Sequence, residues 1–188
     1  MTKPNHTQAS SRRPGLAGLF LRNRSGSTVV EFSLLALPFA ALVFAILESC
    51  ISFAGQQVMS NITDDIARQI RTGQLKPADL TQATLKKMIC DELEIMVAKD
   101  CPGLEVDLRE FPTFAAAAAV RIRITADKDL NTSDFAVTPG LSMSKNMLRV
   151  FYKWPVITDF MSKLMSNLKD GKTLHFATVT WQNEPFDD

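Results

Sequence analysis

The hydrophobic and polar positions divide the chain into one long apolar stretch and a series of shorter patterned ones. From Phe32 to Leu47 the sequence FSLLALPFAALVFAIL holds 16 residues without a charge, and continuing to Ala54 adds one carboxylate, Glu48. At about 1.5 Å of rise per residue, a helix over residues 32–54 reaches ~35 Å, enough to cross a hydrocarbon layer about 30 Å thick. A cleaved secretory signal and a buried core helix are the competing readings of such a run. A signal should end in a small-residue cleavage site beyond its apolar region. Here a helical pattern instead continues through Gln56, Val58, Ile62, Ile66 and Ile70 on one face. Continuity favours an anchor that stays attached. Pro38 removes one helical hydrogen bond, which membrane helices tolerate. The helix should stop at Arg71-Thr72-Gly73, where glycine takes the left-handed conformation that ends helices.

Beyond that stop a second helix is expected from Pro77 to about Ala98, with Leu80, Leu85, Met88, Ile89, Leu93 and Met96 as core contacts. Cys101-Pro102-Gly103 closes it. The period then changes to 2. Leu104, Val106 and Leu108 alternate with Glu105, Asp107 and Arg109, and Val120, Ile122 and Ile124 alternate with Arg121, Arg123 and Thr125, which predicts two neighbouring antiparallel strands. Residues 127–146 read as a loop. Met147–Trp154 reads as a third strand, Thr158–Leu168 as helical, and Leu174–Trp181 as a fourth strand. The expected fold is α+β: a long N-terminal membrane-spanning helix, then a small outer domain with an antiparallel sheet of about four strands packed on helices. The expected parts are a leader (1–26), the long helix (27–73) and the outer domain (74–188).

Charge adds a direction. Five of the 21 basic residues and none of the 20 acidic ones fall in the first 30 positions, as Lys3, Arg12, Arg13, Arg22 and Arg24. A basic flank before a span is the mark of its inner end. Residues 1–25 are too polar to join a core and read as a leader. Outside the leader the basic residues are interleaved with acids, and no basic stripe with aromatics offers a face for nucleic acid. At 188 residues there is room for one domain plus an appendage.

Where the basic segment meets the apolar run, the residues are Arg22-Asn23-Arg24-Ser25-Gly26-Ser27-Thr28-Val29-Val30-Glu31-Phe32. This segment resembles the processing site of type IV prepilins: a basic leader, Gly, four variable residues, then Glu and an apolar helix. The resemblance implies that a membrane aspartyl peptidase cuts after Gly26, leaving Ser27 as the amino terminus and Glu31 as the fifth mature residue. A glycine lets an extended backbone enter a protease cleft. A carboxylate at the edge of a span is costly unless it lies at the interface, is protonated or meets a cation, and cleavage creates a cation at Ser27. Pairing of Glu31 with the amino terminus of a neighbouring subunit is what the resemblance implies. The plainer alternative is a juxtamembrane acid at the aqueous boundary.

Four further features resemble TadE-like pseudopilins of tight-adherence (Flp-type) pilus systems: Glu31-Phe32, the second acid in Leu47-Glu48, the Arg71-Thr72-Gly73 helix end, and the closing Asn183-Glu184-Pro185-Phe186. Gln182 stands where many relatives carry an arginine. The resemblance implies a minor, peptidase-processed protein of the bacterial inner membrane, acting in assembly or initiation of a thin adhesive pilus. It would have a cytoplasmic amino terminus and a periplasmic outer domain. The implied partners are the prepilin peptidase, other pilins or pseudopilins and the pilus assembly machinery. The alternative is an uncleaved, single-span periplasmic binding or sensor protein.

The remaining chemistry is sparse. Glu48 lies 17 residues beyond Glu31, about 25 Å along a continuous helix, so it is expected near the opposite membrane face. There it is either a contact for a partner helix or an acid reaching water. Cys90 and Cys101 flank a helix end in a compartment that permits a disulfide, and spacing alone leaves a bond or two free thiols. Cys50 reads as a small apolar filler or a membrane-facing thiol. His6 and His175 are the only imidazoles. There is no Gly-x-Ser-x-Gly elbow, Gly-rich phosphate loop or HExxH pair, and no Cys or His spacing suited to zinc. No catalytic residue, metal or cofactor is expected.

Overall fold

The computed structural model describes residues 27–187 of the chain. The leader and Gly26 lie outside the described residues. A single helix, α1 (Ser27–Arg71), runs uninterrupted through Pro38. The chain divides inside this helix into one unit ending at Phe44 and another beginning at Ala45. In the described part of the first unit the large apolar side chains, among them Val29, Phe32, Leu35, Leu37 and Phe39, are exposed.

The second unit takes its core from the later turns of the same helix. Ser52, Gly55, Met59, Ile62, Ile66 and Ile70 recur every three or four residues and are buried, the stripe of a helix packed on one face. The helix stops where expected. Gly73 has φ +72°, its N–H donates to Ile70 O at 3.1 Å, and Gln74 N–H donates to Gln69 O at 2.9 Å. This pair of bonds is a Schellman motif, which satisfies carbonyls that the helix leaves unpaired.

A 3-10 turn (Pro77–Asp79) precedes α2 (Gln82–Leu93), which Thr81 caps in a reciprocal capping box with Thr84. This helix stops at Leu93, five residues before the expected end at Ala98. Glu94 there accepts the backbone N–H of Asp100 at 2.9 Å, turning the chain back toward Cys101. The turn leads into β1 (Leu104–Phe111), a short helix α3 (Phe114–Ala118), β2 (Val137–Thr138), β3 (Lys145–Pro155), α4 (Asp159–Met165) and β4 (Lys172–Gln182).

The sheet has four strands in the order β2-β1-β3-β4. β1 with β3 and β3 with β4 are antiparallel, whereas β2 runs parallel to β1. The sheet is therefore mixed rather than wholly antiparallel. Leu104, Val106, Leu108, Leu148, Val150, Tyr152, Ala177 and Trp181 form one core with Met59–Ile70 of α1 and with Leu85, Ile89 and Leu93 of α2. Strand register puts them all on one sheet face, as the period of 2 requires.

The alternating segment Val120–Thr125 is not a strand. Thr113 Oγ1 accepts the N–H of Ala116 and caps α3, so the alanine run follows its helical propensity and leads the chain away from the edge of β1. That edge is taken by β2 instead. The buried carboxylate of Asp107 accepts the N–H of Ala136 at 3.1 Å, and Leu108 N–H donates to Ala136 O at 2.8 Å. Residues 112–136 supply the cover for the second sheet face, where Arg149 lies within 6 Å of both the Phe135 and Phe151 ring centres. Arg149 donates to Asp107 Oδ2 through Nε at 3.0 Å and Nη2 at 2.6 Å. A buried carboxylate with two arginines and a backbone amide around it is paired as burial requires; the second arginine is Arg109, 2.8 Å from Oδ1.

Candidate functional site: the anchor helix and its junctions

The residues singled out by sequence fall into two groups along α1. Glu31 and Phe32 lie in its second turn, and both are exposed. Ser27 is the first helical residue, and its scissile neighbour Gly26 is outside the described residues.

The second group surrounds the start of the compact unit. Glu48 is half-buried and turns to its own chain: Oε1 accepts the N–H groups of Ile157 and Thr158, and Oε2 accepts the Thr158 hydroxyl. Thr158 is the residue immediately before α4, whose own side chain makes no cap. The carboxylate from α1 instead holds the two residues that lead into the helix, an anion placed beside a helix start. One residue on, the Ser49 hydroxyl reaches Met165 Sδ at 3.8 Å. Cys50 is exposed and unbonded.

One turn further along, Ser52 Oγ lies 3.0 Å from His175 Nε2. The imidazole stacks on Trp154 with ring centres 5.0 Å apart. Gly55 lies under the same indole, and a Cβ there would overlap its ring. Gly55 is thus needed for close approach of α1 to β3, a role that the α1 pattern does not announce. Burial pushes His175 down to about 4 from its ordinary 6.5, because desolvation disfavours the charged form. The histidine is a neutral core group.

At its far end α1 meets the carboxy-terminal segment. Glu184 N–H donates to Arg71 O at 2.9 Å, and the two side chains approach to 3.4 Å. The Phe186 ring covers Gly73 so closely that a Cβ there would fall 2.7 Å from it. Asn183 accepts from Trp181 Nε1 at 2.7 Å and donates to Gly140 O and Leu141 O. Two motifs more than 100 residues apart, Arg71-Thr72-Gly73 and Asn183-Glu184-Pro185-Phe186, therefore form one joint.

Residues 26–68 match the family of TadE-like proteins. The matched TadE-like segment begins at Gly26 and contains Ser27, Glu31, Phe32 and Glu48, so its first part is the apolar run and its last part enters the core of the compact unit. No curated protein and no solved structure matches the chain. α1 is long and apolar enough to cross a membrane. The match and the joint at the far end of α1 are independent observations, because the joint lies beyond residue 68.

Cys90 and Cys101 are joined by a disulfide with Cα atoms 5.7 Å apart, linking the end of α2 to the turn before β1. Glu94 lies beside them, but it holds the Asp100 amide and both sulfurs are taken up by their bond, so this cluster is a turn clamp in form.

Proposed function

We propose that this chain is a minor pseudopilin, processed by a prepilin peptidase after Gly26 and acting in assembly or initiation of a tight-adherence (Flp-type) pilus. The observation that carries the reading is the TadE-like match over residues 26–68. It begins at the glycine where the basic leader ends and runs through the apolar helix. Association with a pilus system follows from that family in general terms; the peptidase, the minor role and the inner membrane are parts of the proposal.

In this reading Ser27 becomes the amino terminus, Glu31 meets an α-ammonium group of a neighbouring subunit, and residues 28–47 cross the bilayer. Twenty helical residues span about 30 Å, the thickness of the hydrocarbon layer. The burial of Ser52 and Gly55 supports an anchor ending at Glu48 rather than Ala54. The basic leader supports a cytoplasmic amino terminus, and the disulfide suits an oxidising periplasm. The chain's role is then structural: chemistry is done to it at Gly26, and its outer unit contacts other pilins or the assembly machinery.

Mass spectrometry of the membrane-extracted protein tests this. Cells holding the peptidase should yield a chain that starts at Ser27. An intact leader in those cells would favour an uncleaved single-span binding or sensor protein instead.

A further inference from the structure

The second sheet face carries a cavity of about 360 Å³ whose wall holds four arginines, Arg109, Arg121, Arg123 and Arg149. They come from separate parts of the chain. Arg109 and Arg149 stand on the neighbouring strands β1 and β3. Arg121 and Arg123 alternate along residues 120–125, a segment held by the Ile124–Leu130 bridge and by Asn131 N–H, which donates to Arg123 O at 2.9 Å. The period of two in that segment thus serves something other than strand pairing: it brings two more guanidinium groups to the cavity wall.

The charges around this cavity do not balance. Asp107 is already saturated: Oδ2 accepts from Arg149 Nε and Nη2 and from Arg109 Nη2, and Oδ1 accepts the N–H of Ala136. Arg149 is only 4% exposed, and its Nη1 is buried without a hydrogen-bond partner, a costly state for a charged donor. At the rim Arg123 pairs with Asp134 at 2.9 Å, whereas Arg121 is exposed and joins no ion pair among the described residues. Four guanidinium groups against the carboxylates of Asp107 and Asp134 leave two positive charges around one cavity. Arginine keeps its charge at any physiological pH, so loss of a proton cannot relieve the excess. Asn131 adds neutral donors on the same wall. Its Oδ1 is taken by the N–H and hydroxyl of Ser133 at 3.0 and 2.7 Å, which leaves the side-chain NH2 to donate.

We propose that this cavity binds a small dianionic oxyanion, a phosphate group or a dicarboxylate. Two uncompensated positive charges match a dianion, and the planar guanidinium fork pairs with both kinds of oxyanion through parallel hydrogen bonds. The volume lies within the range of small-molecule sites, about 300–1,000 Å³. Arg121, Arg123 and the Asn131 amide are the contacts from the loop side, and Arg109 and Arg149 supply fixed charge from the strands. A bound anion would tie residues 120–123 to β1 and β3. The site lies wholly within the unit that begins at Ala45, so it stands or falls separately from processing at Gly26 and from the pilus reading.

The test is calorimetric titration of the full chain in detergent with inorganic phosphate and, separately, with succinate, at an ionic strength held constant by chloride. At least one of the two should bind saturably at one molar equivalent and raise the melting temperature. Phosphate alone assigns the phosphate class, succinate alone the dicarboxylate class, and binding of both assigns the charge they share. The double variant Arg121→Gln, Arg123→Gln should weaken binding by about tenfold or more, because charge-assisted hydrogen bonds are lost. It should melt in chloride as the parent does, since the one ion pair it breaks is exposed. The charge-matched control Lys87→Gln, Lys163→Gln, at exposed positions away from the cavity wall, should bind as the parent does. Three results overturn the proposal: no saturable binding of either anion, undiminished binding by the arginine variant, or equal weakening by the lysine variant, which would reduce the effect to net charge.

Discussion

Phe186 packs against Gly73, at a place where even one added carbon would fall 2.7 Å from its ring. Gly73 is therefore required twice, once for its positive φ and once for the space above it. Gly73→Ala is expected to lower stability by roughly 1–2 kcal/mol from the left-handed conformation alone, with a further loss from the overlap. In a Phe186→Gly background, which removes the Cβ as well as the ring, the overlap part should vanish and the conformational part remain. Thermal melts of the four proteins in detergent measure the coupling. Strict additivity would refute the contact.

Glu48 is expected to hold the entry to α4 through its three hydrogen bonds. Glu48→Ala should leave α1 intact but expose the amides of Ile157 and Thr158, each bond being worth about 0.5–1.5 kcal/mol and more where a charge takes part. Hydrogen exchange followed by mass spectrometry should show faster exchange confined to residues 156–166. Unchanged protection there would mean that the carboxylate does not hold the segment.

His175 sets an acid limit on stability. The folded state holds the imidazole neutral down to about pH 4, while the unfolded chain takes up a proton near 6.5. Above 6.5 neither state is protonated and His175 contributes no pH dependence. As pH falls from 6.5 to about 4, the unfolded state binds more protons and stability declines. The loss is on the order of 2 to 3 kcal/mol at its full extent. His175→Gln should flatten the stability profile in that window; a slope equal to that of the parent protein would exclude His175 as its source.

The Cys90–Cys101 bond closes a loop of 11 residues in sequence. Replacing both cysteines by serine should cost about 2–4 kcal/mol, and reductant should destabilise the parent protein to a similar extent while leaving the double variant unmoved. Denaturant titration with and without reductant reads this directly. A parent protein indifferent to reductant would show the bond to be absent or without weight.

Processing and assembly should separate by position. Gly26→Asp puts bulk and charge at the scissile bond and is expected to abolish maturation. Glu31→Ala should leave cleavage largely intact and impair piliation. Immunoblots of leader removal, with pilus counts by electron microscopy, distinguish the two. Wild-type piliation in Glu31→Ala cells would remove the assembly role of that carboxylate.

Local pattern was a good guide wherever one residue's neighbours in sequence are also its neighbours in space. The α1 stripe, the stop at Gly73 and the strands β1, β3 and β4 were legible for that reason. What stayed hidden depends on distant partners. β2 is only two residues long and is held by Asp107, 29 residues away, so no periodicity could mark it. Val120–Thr125 has a strand's alternation, but the capped alanine run before it and the occupied edge of β1 keep it out of the sheet, and its pairing is a local bridge from Ile124 to Leu130. Glu48 read as an acid at a membrane edge, yet its bonds reach Ile157 and Thr158 across more than 100 residues. The closing Asn-Glu-Pro-Phe segment was visible as a motif; that it locks the end of α1 was not.

The helix that begins with the apolar run also supplies, in its later turns, part of the core of the compact unit. A soluble fragment that starts after Gly73 would lose Met59, Ile62, Ile66 and Ile70 and leave the sheet face they cover open to water. A fragment that keeps the helix from Ala45 retains them. The later turns of α1 therefore belong to the fold of the compact unit and cannot be trimmed away together with the apolar run.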